Sequence, residues 1–128
     1  MGTHPLPMPH VLVVEDEEVI RLETSDFLRS MGFWVYEAIN GDEAIQKLQN
    51  GLAVDVVVSD VRMPGSADGF QVAAWVRQNT PYTKTILTSG DMGLPYINDN
   101  LCNQPFFIKP YNLYCLASQI RRDTRNHG

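Results

Sequence analysis

Only two cysteines, Cys102 and Cys115, occur among the 128 residues, too few for a disulfide framework and without the Cys-x-x-Cys spacing of a metal site. Both are expected as reduced, partly buried thiols. Histidine is equally sparse: His4, His10 and His127 are scattered, with neither metal-ligand spacing nor a nucleophile beside them. Basic residues number 10 against 15 acidic ones, for a net charge of −5. A chain so balanced, with no clustered basic face, is not built to neutralise a phosphate backbone, and no direct nucleic-acid binding is expected. Residues Met1 to His10 hold Pro5, Pro7 and Pro9 but no basic flank and no apolar segment, which excludes a signal peptide or a membrane span there. A cytoplasmic location without a membrane partner is the corresponding expectation.

What the chain does have is enough apolar residue for one core. An apolar fraction of 44% with 20% charged residues is ordinary for a globular domain, and 128 residues suit one domain rather than two. The division expected is a loose lead over 1–9, a domain over 10–124 and a tail over 125–128, with Arg121 onward already polar. No repeat or linker interrupts it. The chain is organised around Val56-Val57-Val58-Ser59-Asp60, a β-branched run of the kind buried on both faces of a parallel sheet. Met63-Pro64-Gly65 then supplies turn chemistry, so Asp60 is expected at the carboxyl end of a central strand. Val11 to Val14 reads as a first strand, followed at once by Glu15-Asp16-Glu17-Glu18. From Glu17 to Met31, apolar positions at spacings of three and four predict a helix, stopped by Gly32.

Phe33 to Glu37 is partly polar, as an edge strand tends to be. Asn40-Gly41-Asp42 offers an N-cap for a second helix that ends at Asn50-Gly51, and Asp68-Gly69 begins a third that ends at Asn79-Thr80-Pro81. Thr85 to Thr88 is a fourth strand, with Ser89-Gly90-Asp91 at its end. Gly93, Pro95, Asn98, Asn100 and Asn103 make a long helix over Gly90 to Gln104 improbable. Phe106-Phe107-Ile108 is a fifth strand, and Leu113, Leu116, Ala117 and Ile120 mark a last helix. Trp34 and Trp75 are expected as packing residues. Alternating strands and helices imply an α/β, doubly wound, flavodoxin-like fold: a five-stranded parallel sheet, order 2-1-3-4-5, with a shortened or irregular fourth helix.

In a parallel sheet the carboxyl ends of the strands share one edge. That edge would collect Glu15, Asp16, Asp60, Ser89 and Lys109. Crowded carboxylates repel unless one takes up a proton or a cation joins them. Mg²⁺ (or Mn²⁺) accepts such oxygen ligands and commonly bridges carboxylates to a phosphoryl group. Lys109 offers a positive charge and Ser89 a hydroxyl to phosphoryl oxygens. The set describes a site that accepts a phosphoryl group on Asp60.

These elements, Val13-Val14-Glu15-Asp16-Glu17, Asp60-x-x-Met63-Pro64-Gly65, Thr88-Ser89-Gly90 and Lys109-Pro110-Tyr111, resemble those of a response-regulator receiver domain of two-component signalling, over Val11 to about Arg122. The resemblance implies that Asp60 is the phosphoacceptor, Asp16 a direct metal ligand, Glu15 an outer ligand and the backbone carbonyl of Arg62 a further one. It implies Ser89 as the switch hydroxyl, Gly90 as the small residue that leaves room for the phosphoryl group, and Lys109 as the phosphate-sensing base, with a cis Lys109-Pro110 bond. Arg62 and Asp91 would pair and tune dephosphorylation. Two departures from that pattern shift the expected response: Phe106 stands where many receivers have a Tyr or His switch, so its rotation would be driven by packing alone, and the Gly-, Pro- and Asn-rich stretch Gly90 to Gln104 is expected to order or reposition instead. The partners implied are a sensor histidine kinase or phosphotransfer protein, an unknown downstream target, and a second copy of the chain.

Such a domain is not an enzyme on other molecules, since it catalyses only its own phosphorylation and dephosphorylation. Two other classes share parts of the pattern. A small phosphatase working through an aspartyl-phosphate usually needs a second acid two residues on, where Arg62 stands. A flavodoxin-like nucleotide or flavin binder needs glycines or hydroxyls in the first loop, where Glu15 to Glu18 would repel phosphates. No DNA-binding or enzymatic output is read within the chain, and both a stand-alone regulator and a piece of a hybrid kinase fit it.

Overall fold

The computed structural model of the chain describes residues 8–90, 107–109 and 111–125. Strands β1 (His10–Val14), β2 (Trp34–Ala38), β3 (Val56–Asp60), β4 (Lys84–Ser89) and β5 (Phe107–Ile108) alternate with helices α1 (Glu18–Ser30), α2 (Gly41–Gln49) and α3 (Gly69–Asn79), and α4 (Leu113–Thr124) follows β5. All pairings are parallel, in the order β2-β1-β3-β4-β5. Four strands of five or six residues form the body of the sheet, and β5 adds only two residues beside β4.

The period of a strand divides the core in two. Val11 and Val13 of β1, with Val56 and Val58 of β3, pack against Leu28 of α1 and Leu116 and Ile120 of α4. Leu12, Val14 and Val57 point the other way, onto Ala44 and Leu48 of α2 and Val72 and Val76 of α3. β1 and β3 are therefore covered on both faces, which is why they read as unbroken apolar runs. β2 carries only one fully buried residue, Ala38, and lies at the edge.

Local signals set most element ends. Asn40 accepts a hydrogen bond from the Glu43 amide at 2.8 Å, and Asp68 forms a reciprocal capping box with Gln71. Gly32 follows α1 with φ of 99° and Gly51 follows α2 with φ of 102°, a region that costs other residues strain.

Two expectations need correction. Cys115 is disulfide-bonded rather than a reduced thiol, a proximity that linear spacing does not reveal. Trp34, the first residue of the edge strand, is 60% exposed and stacked on His10 with ring centroids 5.8 Å apart, and so is no core residue. Helix α4 runs through Thr124, and Ile120 anchors its later turns in the core. The fourth helix region from residue 91, Phe106, and Pro110, where a cis bond was expected, lie outside the described residues.

Candidate functional site

The carboxyl ends of the strands are brought level by register. Val14 pairs with Ser59, Asp60 with Thr88, and Ser89 with Ile108. Main-chain bonds continue this alignment beyond the strands: the amides of Val61 and Lys109 donate to the carbonyls of Thr88 and Ser89, each at 2.8 Å. Glu15, Asp60, Ser89 and Lys109 consequently converge, although the sequence spreads them over most of the chain.

Lys109 Nζ lies between two buried carboxylates. It reaches Asp60 Oδ2 at 2.8 Å and also pairs with Glu15 Oε1, while Glu17 Oε1 lies 3.8 Å away. The other oxygen of Asp60 accepts the Arg62 amide at 3.2 Å, and that of Glu15 accepts the Glu17 amide at 3.1 Å. Burial raises the Glu15 carboxyl from its usual 4.5 to about 7, against the lowering effect of Lys109. Burial also works against the charge on Lys109, but its hydrogen bonds to Asp60 and Glu15 prevail and its pKa is raised.

Glu15, Asp16 and Asp60 each offer a carboxylate oxygen within 4.8 Å of the other two. Three hard oxygen donors, two of them buried, fit a divalent cation of the Mg²⁺ type. Asp16 is the exposed member and Glu15 the buried one already held by Lys109. Ser89 Oγ is buried without a hydrogen-bond partner, a shared distinction with Ser25 Oγ among the described residues. An orphaned hydroxyl at a strand end beside this cluster is suited to an incoming oxygen acceptor. Gly90 is exposed, and among the described residues a Cβ there would meet nothing within 4 Å. The Arg62 side chain is exposed; its expected partner Asp91 lies outside the described residues.

Two contributors were not singled out from the sequence. Arg21, on α1, donates from Nη1 to the Glu15 carbonyl at 3.0 Å and from Nε to Glu37 at 3.2 Å, pinning the first loop to β2. Helical spacing from Glu17 could have suggested its direction, but not its acceptors. Tyr111 shares a hydrogen bond of 2.8 Å with Thr24 Oγ1, and its hydroxyl pKa is raised by burial. Thr24 and Tyr111 line, with Glu17, Glu23, Gly90 and Lys109 among others, a cavity of about 380 Å³ that opens beside Lys109.

Known proteins agree with this geometry. The profile described as response regulator receiver domain matches residues 11–120. The sensor kinase CckA of Brucella abortus is 37% identical over 119 residues, which are 87% of this chain but 12% of the kinase, and the aerobic respiration control protein ArcA of Escherichia coli is 30% identical over 126 residues, which are 94% of this chain and 51% of ArcA. A response regulator receiver protein of Sinorhizobium medicae superposes with a TM-score of 0.81 at 27% identity, covering 97% of this chain and 100% of that one. The response regulator TrrA of Thermotoga maritima, in complex with Mg²⁺ and BeF, gives 0.72 at 29% identity, covering 91% and 99%. No helix among the described residues is long and apolar enough to cross a membrane.

Proposed function

The chain belongs to the response regulator receiver domain family of two-component signalling, and from that premise we propose that Asp60 accepts a phosphoryl group from the phosphohistidine of a sensor kinase or phosphotransfer protein. The observation that carries this reading is the Asp60 carboxylate itself: it ends the central strand, buried, with Lys109 at 2.8 Å and a second pair of carboxyls beside it. A nucleophile for phosphorus must be aimed, and the bonds from Lys109 and the Arg62 amide fix the Asp60 carboxylate in orientation.

In the proposed reaction an Asp60 oxygen bonds to phosphorus as the phosphorus–nitrogen bond of the donor breaks, with the electron pair leaving on the imidazole. Asp16 as a direct ligand, Glu15 through water, Asp60 and the Arg62 carbonyl would hold Mg²⁺ (or Mn²⁺), which supplies charge neutralisation at the phosphoryl oxygens. Lys109, bonded to both Glu15 and Asp60, would transfer a contact to a phosphoryl oxygen. The Ser89 hydroxyl would donate to another, which answers its lack of a partner, and Gly90 leaves the approach open. Hydrolysis of the acyl phosphate by water closes the cycle, so the domain acts only on itself. Residues 10–124 would form the switching unit, in the cytoplasm, with a downstream target or a second copy reading its surface.

Incubation with acetyl phosphate, with and without Mg²⁺, tests the reading. A single acid-stable, base-labile phosphoryl adduct on Asp60 that requires the metal is expected; no adduct, or one elsewhere, would overturn it.

A further inference from the structure

We propose that Ser66 is a positioning residue for this site: its hydroxyl fastens the loop after Asp60 to the N-terminus of α2 and thereby holds the main chain at Arg62 in place. The inference rests on the metal-assisted phosphoacceptor reading above, in which the Arg62 carbonyl is a ligand.

The loop leaves β3 at Asp60 and returns at Gly69, where the Gly69 amide donates to the Val61 carbonyl at 2.9 Å and closes its base. A Cβ at Gly69 would come within 2.5 Å of the Asp60 carbonyl oxygen, so this closure is open only to glycine. Between these ends few side chains anchor the loop. Met63 is buried, but Arg62, Pro64 and Gly65 are exposed, and Gly65 takes a φ of 77°. The loop needs an outside support, and α2 provides it.

Helix α2 begins with amides that have no partner within the helix. Asn40 satisfies the Glu43 amide. The amides of Gly41 and Asp42 instead donate to Ser66 Oγ, at 3.0 and 3.3 Å, and the Ser66 hydroxyl is placed to donate to the Ala67 carbonyl at 3.1 Å. The tie is reciprocal, because the Ala67 amide donates to Asp42 Oδ1 at 3.1 Å. The contact is so close that a Cβ on Gly41 would lie 2.0 Å from the Ala67 carbonyl oxygen. At its other end the same stretch is pinned by the Arg62 amide on Asp60 Oδ1, at 3.2 Å. Arg62 thus sits between two fixed points, one on the nucleophile and one on α2.

A main-chain carbonyl can serve as a ligand only where its peptide is held, since free rotation of the loop would be lost on binding. Were Ser66 no more than a helix cap, its loss would lower stability and leave metal affinity untouched. Asn40 provides the comparison, since it caps the same helix without touching the loop.

The test measures Mg²⁺ affinity by titration calorimetry and melting temperature for the unsubstituted chain, Ser66→Ala and Asn40→Ala. Ser66→Ala is expected to weaken Mg²⁺ binding about 3- to 10-fold, short of the roughly 10- to 100-fold lost when the direct partner of a metal ligand is removed. Asn40→Ala is expected to lower the melting temperature at least as much while leaving the affinity within about twofold of the unsubstituted chain, because a lost cap acts on the helix alone. Unchanged affinity in Ser66→Ala, or equal weakening in both variants, would overturn the positioning role while leaving the phosphoacceptor reading intact. An unsubstituted chain that bound no Mg²⁺ would overturn the reading itself, and this role with it.

Discussion

Lys109 Nζ lies 2.8 Å from Asp60 Oδ2, and the same ammonium pairs with Glu15. One cation therefore serves two buried carboxylates from strands that are not neighbours of its own, where a divalent ion would share the same oxygens. The charge balance of the site follows from this arrangement, and so do its responses to substitution.

Asp60→Asn should abolish phosphorylation by any donor while the fold persists, because the amide keeps the shape of the carboxylate and loses only its nucleophilic charge. Mass spectrometry after incubation with acetyl phosphate checks the first part and circular dichroism the second. Undiminished labelling would remove Asp60 from its role.

Lys109→Met should destabilise the metal-free chain strongly. The lysine side chain is 9% exposed and its partners Glu15 and Asp60 are 3% and 7% exposed, and breaking a buried pair from one side costs roughly 3–5 kcal/mol. The loss should be larger at pH 8 than at pH 5, where Glu15 is protonated and needs no counter-charge, and Mg²⁺ should restore part of it. Urea unfolding at the two pH values, with and without Mg²⁺, measures all three effects; a pH-independent loss would contradict the pairing.

Glu15 carries a pH signature of its own. Its carboxyl is raised from 4.5 to about 7, chiefly by burial, so between those values the folded chain binds a proton that the unfolded chain has released. Stability from this group is complete below pH 4.5 and declines as pH rises through about 7. Melting curves of the metal-free chain should show this decline, and Glu15→Gln should remove it. Identical slopes for the two would show that Glu15 is not the group responsible.

Asp16→Asn should weaken Mg²⁺ binding more than Glu15→Gln. Asp16 is exposed and its oxygens make no hydrogen bond or ion pair among the described residues, whereas Glu15 is buried and already committed to Lys109 and the Glu17 amide. A direct charged ligand is lost in the first case and a water-bridged one in the second. Calorimetric titration showing the reverse order would exchange their roles.

Much of the fold was legible in the chain because its signals are local. Val11 to Val14 and Val56 to Val58 are apolar runs that only a strand buried on both faces explains, and Asn40, Asp68, Gly32 and Gly51 mark helix ends within a few residues of where they occur. Asp60 and Glu15 could be named because each directly ends or follows such a run. That Trp34 would stand exposed was not legible, since the partly polar composition of β2 marks an edge strand but not which of its side chains the neighbouring elements leave uncovered. Nor was the disulfide at Cys115.

By itself, then, the sequence determined which residues form strands, which carboxylates terminate them, and that these share one edge of a parallel sheet. The tertiary structure alone decided that Lys109 would bridge Glu15 and Asp60, that Arg21 would reach the Glu15 carbonyl, and that Ser66 would cap a helix 25 residues before it. The physical reason is one of range. Periodicity and capping are settled by neighbours along the chain, whereas a hydrogen bond of about 3 Å between distant residues depends on strand register, helix packing and loop closure together.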